Sequence, residues 1–222
     1  MTSTFTSIAD QVSDFEAIAV HQLPADVWAT FSAAQAALNA AGVPARVAAP
    51  GIQLPDVQLI DAQGASTSLH TVTGGRPVVI VFYRGVWCPY CNITLKAYQE
   101  QLLPELTKRG VGLVAISPQR PDGSLSMRQK NELTYPVVSD PGNVLAGELG
   151  ILAPAPSAEV RAAQDKLGLD LTAVNADGAD TLPMPTTALA DAGNTIRWID
   201  VHPNYATRTE VADILNALSS VL

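Results

Sequence analysis

The stretch Val78 to Cys91, Val-Val-Ile-Val-Phe-Tyr-Arg-Gly-Val-Trp-Cys-Pro-Tyr-Cys, limits what this chain can fold into more than any other. Val78 to Tyr83 is an unbroken apolar, β-branched run, the pattern of a strand buried on both faces. Arg84 and Gly85 end it. Pro89 suits the first turn of a helix, where its missing N–H would have had no partner. Beyond it Cys91, Leu95, Tyr98, Leu102 and Leu106 recur at helical spacing. The order is strand, tight turn, cysteine, helix.

Cys88 and Cys91 are the only cysteines in 222 residues. A thiol at a helix N-terminus meets the positive end of the helix dipole and unpaired N–H groups, and both favour the reactive thiolate. Cys91 lies one turn further on, on the apolar face. Residues three apart on a helix are about 5–6 Å from each other, close enough for a disulfide. This spacing predicts Cys88 as the exposed nucleophile and Cys91 as the more buried resolving thiol. A purely structural bridge would close a very short loop and gain little chain entropy. A structural zinc site needs four ligands, and His21, His70 and His202 have no paired spacing. Redox chemistry is the reading these residues favour.

Three segments together carry a family resemblance: Phe82 to Asn92, Leu113 to Gln119 (Leu-Val-Ala-Ile-Ser-Pro-Gln), and Pro136 to Asn143 (Pro-Val-Val-Ser-Asp-Pro-Gly-Asn). They resemble the peroxiredoxin-like branch of the alkyl hydroperoxide reductase/thiol-specific antioxidant family, within the thioredoxin-like superfamily. Cys-Pro-Tyr-Cys itself resembles the glutaredoxin form of that site. The resemblance implies a thioredoxin-like α/β/α fold with a mixed central sheet. It also implies a thiol-dependent peroxidase that reduces hydrogen peroxide or organic hydroperoxides through Cys88, with Cys91 closing the disulfide. Such a reaction needs no metal, flavin or nucleotide, only an external dithiol reductant such as a thioredoxin or a small thiol. Trp87 would shield the sulfur, and Arg84, Gly85 and Pro89 would flank it. Met184-Pro185 would carry a cis proline facing the cysteine pair, with Pro183 the competing position. Arg197 and Arg208 are candidates for an active-site arginine, and His202 and Tyr205 could approach from the last hairpin.

The motif also departs from the family. Typical peroxiredoxins carry Pro-x-x-x-Thr/Ser-x-x-Cys. Counted back from Cys88, the proline position is Val81 and the hydroxyl position is Gly85, so the hydroxyl is missing. Thioredoxins carry a buried aspartate six residues before the first cysteine, and here that residue is Phe82. Two alternatives therefore stay open: a thiol–disulfide oxidoreductase acting on protein disulfides, and a redox sensor without turnover. A peptide groove beside Trp87 favours the first; a narrow arginine-lined pocket favours the peroxidase.

The rest of the chain sets the bounds. A net charge of −8 argues against a nucleic-acid surface. No apolar run approaches membrane-spanning length. The first residues carry Asp10, Asp14 and Glu16 rather than a basic leader; with two redox-spaced cysteines this fits a cytoplasmic location. Residues 1–49 read as a helical extension, and residues 50–222 as the thioredoxin-like domain. Ile8, Val12, Phe15 and Ala19 mark one helical face; Val27, Phe31, Ala34 and Leu38 mark a second. Packing on its own domain is favoured over a homodimer contact or a cover across the site. Val111 to Ser117 is predicted as a second buried strand, parallel to the first. Thr186 to Ala190 and Thr195 to Val201 are predicted as a hairpin.

Overall fold

The computed structural model describes residues 6–221. In chain order the helices and strands are α1 (Ile8–Gln22), α2 (Ala25–Ala41), β1 (Gln58–Ile60), β2 (Ser66–Ser68), α3 (Leu69–Thr73), β3 (Val78–Phe82) and α4 (Pro89–Ala97). Then come α5 (Leu103–Lys108), β4 (Gly112–Ser117), α6 (Pro121–Lys130), β5 (Val137–Ser139), α7 (Val144–Glu148), α8 (Ala158–Lys166), α9 (Leu171–Val174), β6 (Thr186–Ala190), β7 (Ile196–Val201) and α10 (Val211–Val221). The seven strands form one mixed sheet in the order β2-β1-β5-β4-β3-β6-β7. β3 runs parallel to β4 and antiparallel to β6. All five residues of β3 and all six of β4 are buried, as expected for strands covered on both faces. The fold class read from the sequence is the one observed.

The alternation along β3 divides the core. Val79, Val81 and Tyr83 point to the side that holds α4, α10 and the face of α1 carrying Ile8 and Val12. Val78, Ile80 and Phe82 point to the side filled by Leu145, Leu149 and Ile151. Burying each such side chain contributes roughly 1.5–3 kcal/mol, so the site rests on the most heavily buried part of the chain.

The active-site helix is not continuous. A π-helical turn, Tyr98–Leu102, separates α4 from α5. Pro104 follows in the first turn of α5; its N–H is missing from the ladder, and the helix widens before it reaches that point. α6 begins at Pro121, since proline is well suited to a first helical turn. The insertion before the last hairpin holds α8 and α9, and Lys166 of α8 pairs with Asp26 of α2. The N-terminal helices pack on the same chain: Phe15 meets Tyr90 edge-on at 5.4 Å, and the Glu210 carboxylate accepts the amides of Ile8 and Ala9 at 3.0 and 2.8 Å.

Candidate active site

The strand–turn–helix places both cysteines at the end of β3. Cys88 is the N-cap of α4 and Pro89 is in its first turn, as the sequence predicts. The amides of Cys91 and Asn92 donate to the Cys88 carbonyl at 3.1 and 3.2 Å. Asn92 also clamps the turn from outside the ladder, its Nδ2 donating to the carbonyls of Val86 and Cys88, each at 2.8 Å. Gly85 is required here for space. A Cβ on it would lie 2.3 Å from Trp87 Nε1 and 2.9 Å from Gln119 Cδ, while Gln119 Oε1 accepts the Val86 amide at 2.7 Å. Both thiols are reduced and buried.

Both cysteines are closed off from solvent, and Cys91, at 0% exposed, is the more buried of the two, as expected. Cys88 is only 1% exposed and is not the open nucleophile expected. The polar groups converge on Cys91 instead. The Arg84 amide donates to Cys91 Sγ at 3.4 Å, and Arg208 Nη2 approaches the same sulfur at 3.5 Å. Burial alone would push the Cys91 thiol up. A hydrogen bond from Cys88, the Arg208 charge, the Arg84 amide and the Arg84 charge outweigh it and hold Cys91 well below the usual thiol range. Cys88 goes the other way: burial, its hydrogen bond to Cys91 and the Cys91 charge raise it well above that range, against a smaller pull from Arg84 and Arg208. The helix terminus acts locally on Cys88, whereas Arg208 and the Arg84 amide reach Cys91 through the tertiary fold.

A narrow pocket opens onto Cys91, walled by Thr94, Pro185, Thr186, His202, Arg208 and Thr209. Of the arginine candidates, Arg208 reaches the site. Arg197 lies at the far end of β7, paired with Asp191 at 2.6 Å. Arg84 offers its amide to the sulfur, while its guanidinium stacks 4.2 Å from the Tyr205 ring and 5.1 Å from Trp87. His202 is in the pocket wall and Tyr205 in the layer beside it. The Met184–Pro185 bond is not cis: no cis peptide bond occurs among the described residues. Backbone pairing accounts for the extended course there. The Met184 amide donates to the Ile151 carbonyl at 2.7 Å, and the Pro185 carbonyl accepts the His202 amide at 2.9 Å. Met184 is buried in the core on the side of the sheet that holds Ile80 and Phe82, whereas Pro185 contributes to the pocket wall.

Sequence reasoning missed the polar groups that converge on Cys91 and the anchors of Arg208. No local signal carried the first: counted back from Cys91, the proline position of Pro-x-x-x-Thr/Ser-x-x-Cys is Arg84 and the hydroxyl position is Cys88, so the motif fits neither cysteine. Arg208 is held by the carbonyls of Tyr205 and Thr207, and the loop around it by Asp200, whose Oδ2 accepts from Thr209 Oγ1 at 2.8 Å and lies 2.9 Å from His202 Nε2. Among the described residues no group of three His, Cys, Asp or Glu side chains is placed to hold a metal.

Residues 50–199 match the AhpC/TSA family model. A protein of Mycobacterium tuberculosis classed as a peroxiredoxin is 34% identical over 92 residues, 41% of this chain and 57% of that one. The chloroplastic peroxiredoxin Q of Gentiana triflora is 31% identical over 99 residues, 45% of each chain. The chain thus spans about half the length of the curated relatives it matches. The crystal structure of peroxidoxin BcpB from Mycobacterium tuberculosis superposes with a TM-score of 0.58 at 17% identity, over 78% of this chain and 97% of that one. At that identity the likeness speaks for the fold.

Proposed function

Because the chain belongs to the AhpC/TSA family, as the match over residues 50–199 shows, we propose that it is a thiol-dependent peroxidase in which Cys91 is the sulfur that attacks the peroxide. One observation carries this reading: the Cys91 sulfur lies at a narrow pocket where the Arg84 amide and the Arg208 guanidinium both point at it. Those groups stabilise the attacking thiolate. They also face the place where negative charge appears as the O–O bond breaks. The substrate is hydrogen peroxide or an organic hydroperoxide. Attack moves one oxygen onto Cys91 as a sulfenic acid. Cys88, one turn away, condenses with it to a disulfide and releases water. An external dithiol, a thioredoxin-type protein or a small thiol, then reduces the disulfide by exchange. No prosthetic group enters these steps.

The test uses a Cys88→Ser variant, which cannot form the disulfide. Treated with one equivalent of peroxide, it should stop at a sulfenic acid on Cys91 that dimedone traps as a single mass adduct. The rate should exceed that of a small-molecule thiolate at the same pH. A mixed disulfide between Cys91 and a protein substrate, with no acceleration by peroxide, would instead make the chain a thiol–disulfide oxidoreductase.

A further inference from the structure

Resting on that reading, we propose that the pocket at Cys91 selects hydrogen peroxide over organic hydroperoxides, and that His202, at its mouth, is the residue that sets this limit.

Among the residues that line the space beside the Cys91 sulfur, only His202 and Arg208 reach solvent; the others are buried. These two therefore form the mouth. The free space inside is about 10 Å³, room for a single water-sized molecule. Its walls are regular structure. β3 and β6 pair along their whole length on one side, and α4 supplies Thr94 and Leu95 on the other. Thr94 Oγ1 donates to the Tyr90 carbonyl at 2.8 Å and Thr186 Oγ1 to the Met184 carbonyl at 2.9 Å. Close-packed walls of this kind do not widen to suit a larger guest. Tyr83, another lining residue, has a buried hydroxyl without a hydrogen-bond partner, so a guest that brings oxygen suits this space better than one that brings hydrocarbon. The mouth is fixed as well. His202 has Asp200 on one ring nitrogen and Thr207 on the other, each at 2.9 Å. Arg208 is tied to the carbonyls of Tyr205 and Thr207 and to Cys91 Sγ. It cannot swing aside without taking its charge from the sulfur, which leaves His202 as the side of the mouth that sizes the guest.

The direction of the reaction turns this shape into selectivity. The Cys91 thiolate attacks one peroxide oxygen in line with the O–O bond. The S–O bond forms, the O–O bond breaks, and its electron pair leaves on the far oxygen. With hydrogen peroxide the products are Cys91–SOH and hydroxide, which one solvent proton at the mouth converts to water. The near oxygen fills the space beside the sulfur, so the far oxygen and whatever it carries stand at the mouth. Hydrogen peroxide carries a proton there. An organic hydroperoxide carries carbon there, between His202 and Arg208, and a branched carbon overpacks the mouth. It also sets hydrocarbon against the Arg208 guanidinium, where the charge of the leaving oxygen appears.

Single-turnover oxidation of Cys91 by hydrogen peroxide, tert-butyl hydroperoxide and cumene hydroperoxide tests this in the full chain. Each rate is divided by that of the same peroxide with a small-molecule thiolate, which removes the intrinsic reactivity of the peroxide. In the wild type the normalised rate with hydrogen peroxide should exceed that with cumene hydroperoxide by about 10²-fold, the discrimination a closed pocket reaches against excess bulk. His202→Ala should lower that ratio about tenfold, and His202→Gln, which keeps the bulk and a hydrogen-bonding end, should retain it. The ratio is the readout because a disturbed Arg208 would slow every peroxide alike. Equal normalised rates in the wild type would overturn the proposal, and that comparison needs no variant to fold. A ratio that His202→Ala leaves unchanged, or that His202→Gln loses as fully, would overturn the role of His202. In each of these cases acceleration over the free thiolate leaves the peroxidase reading standing. Oxidation no faster than a free thiolate with every peroxide would overturn both.

Discussion

The guanidinium of Arg208 stands 3.5 Å from the sulfur of Cys91, across 117 residues of sequence. No local pattern connects the two. β3 brings Cys91 to the end of the sheet from one side, and the loop between β7 and α10 delivers Arg208 from the other. Replacing Arg208 by methionine keeps the stem and removes the charge. A charged hydrogen bond of this kind contributes about 1.5–3 kcal/mol, so thiolate formation and peroxide oxidation at Cys91 should fall by roughly 10- to 100-fold near neutral pH. Stopped-flow oxidation of the variant measures this. A rate within twofold of the wild type would show that the Arg84 amide alone holds the thiolate.

The two thiols should label in a fixed order. Cys91 is held below the usual thiol range and Cys88 above it. As the pH rises from acid, Cys91 therefore ionises first, with its midpoint below about 8.5, the value of a free thiol. Alkylation with iodoacetamide followed by peptide mass mapping should place the first label on Cys91. Labelling of Cys88 first would restore the assignment that the helix terminus alone suggests.

Gly85 should not tolerate a side chain. A Cβ there meets the edge of the Trp87 indole at 2.3 Å, so Gly85→Ala must push Trp87 off the turn. Overpacking of this kind costs about 1–3 kcal/mol. A lower Tm together with a shifted Trp87 emission is expected, and an unchanged Tm would mean that the indole has room to move.

The parts of the fold that could be read from the sequence are those set by short-range periodicity. Val78 to Phe82 is legible because a strand buried on both faces permits only apolar residues. Pro89 and the spacing from Cys91 to Leu106 announce the helix in the same way. The assignment of the thiolate drew on the dipole of one helix end, and the contacts of Arg208 and the Arg84 amide with Cys91 were out of its reach because they arise through the tertiary fold. Arg197 and Arg208 stayed joint candidates for a related reason: Arg197 lies near the start of β7, paired with Asp191, and Arg208 in the loop after that strand, a difference that only the tertiary fold makes visible. Pro185 looked like a cis proline by resemblance, but its neighbours' pairing with Ile151 and His202 runs through an extended chain.

The N-terminal helices should be tied to the site through Tyr90. Its hydroxyl donates to Glu16 of α1 at 3.0 Å and receives Gln35 of α2 at 3.4 Å. Tyr90→Phe keeps the ring contact with Phe15 and removes both hydrogen bonds, at a cost of about 1 kcal/mol. Amide exchange should quicken in α1 and α2 while β3 and β4 keep their protection. Equal protection in both proteins would mean that the helices are held by apolar packing alone.

Asp200 should make stability depend on pH at the acid end. The hydrogen bond from His202 comes first among the causes that lower its pKa, followed by burial acting the other way, then the His202 charge and Thr209. Because its folded value lies below its unfolded value of about 3.9, the unfolded chain binds the extra proton. Its stabilising contribution is therefore fully present above about pH 4 and is lost as the pH falls through the depressed folded value. The side chain is 36% exposed, which weakens the ion pair, so Asp200→Asn should cost only about 1 kcal/mol at neutral pH. Urea midpoints for both proteins between about pH 7 and pH 2 should converge at the acid end, since protonation removes in the wild type what the substitution has already removed. The same carboxylate holds Thr209, the residue after Arg208, so the variant should also label more slowly at Cys91. Midpoints that stay parallel down to the lowest pH, with Cys91 labelling unchanged, would show that Asp200 neither titrates with unfolding nor positions Arg208.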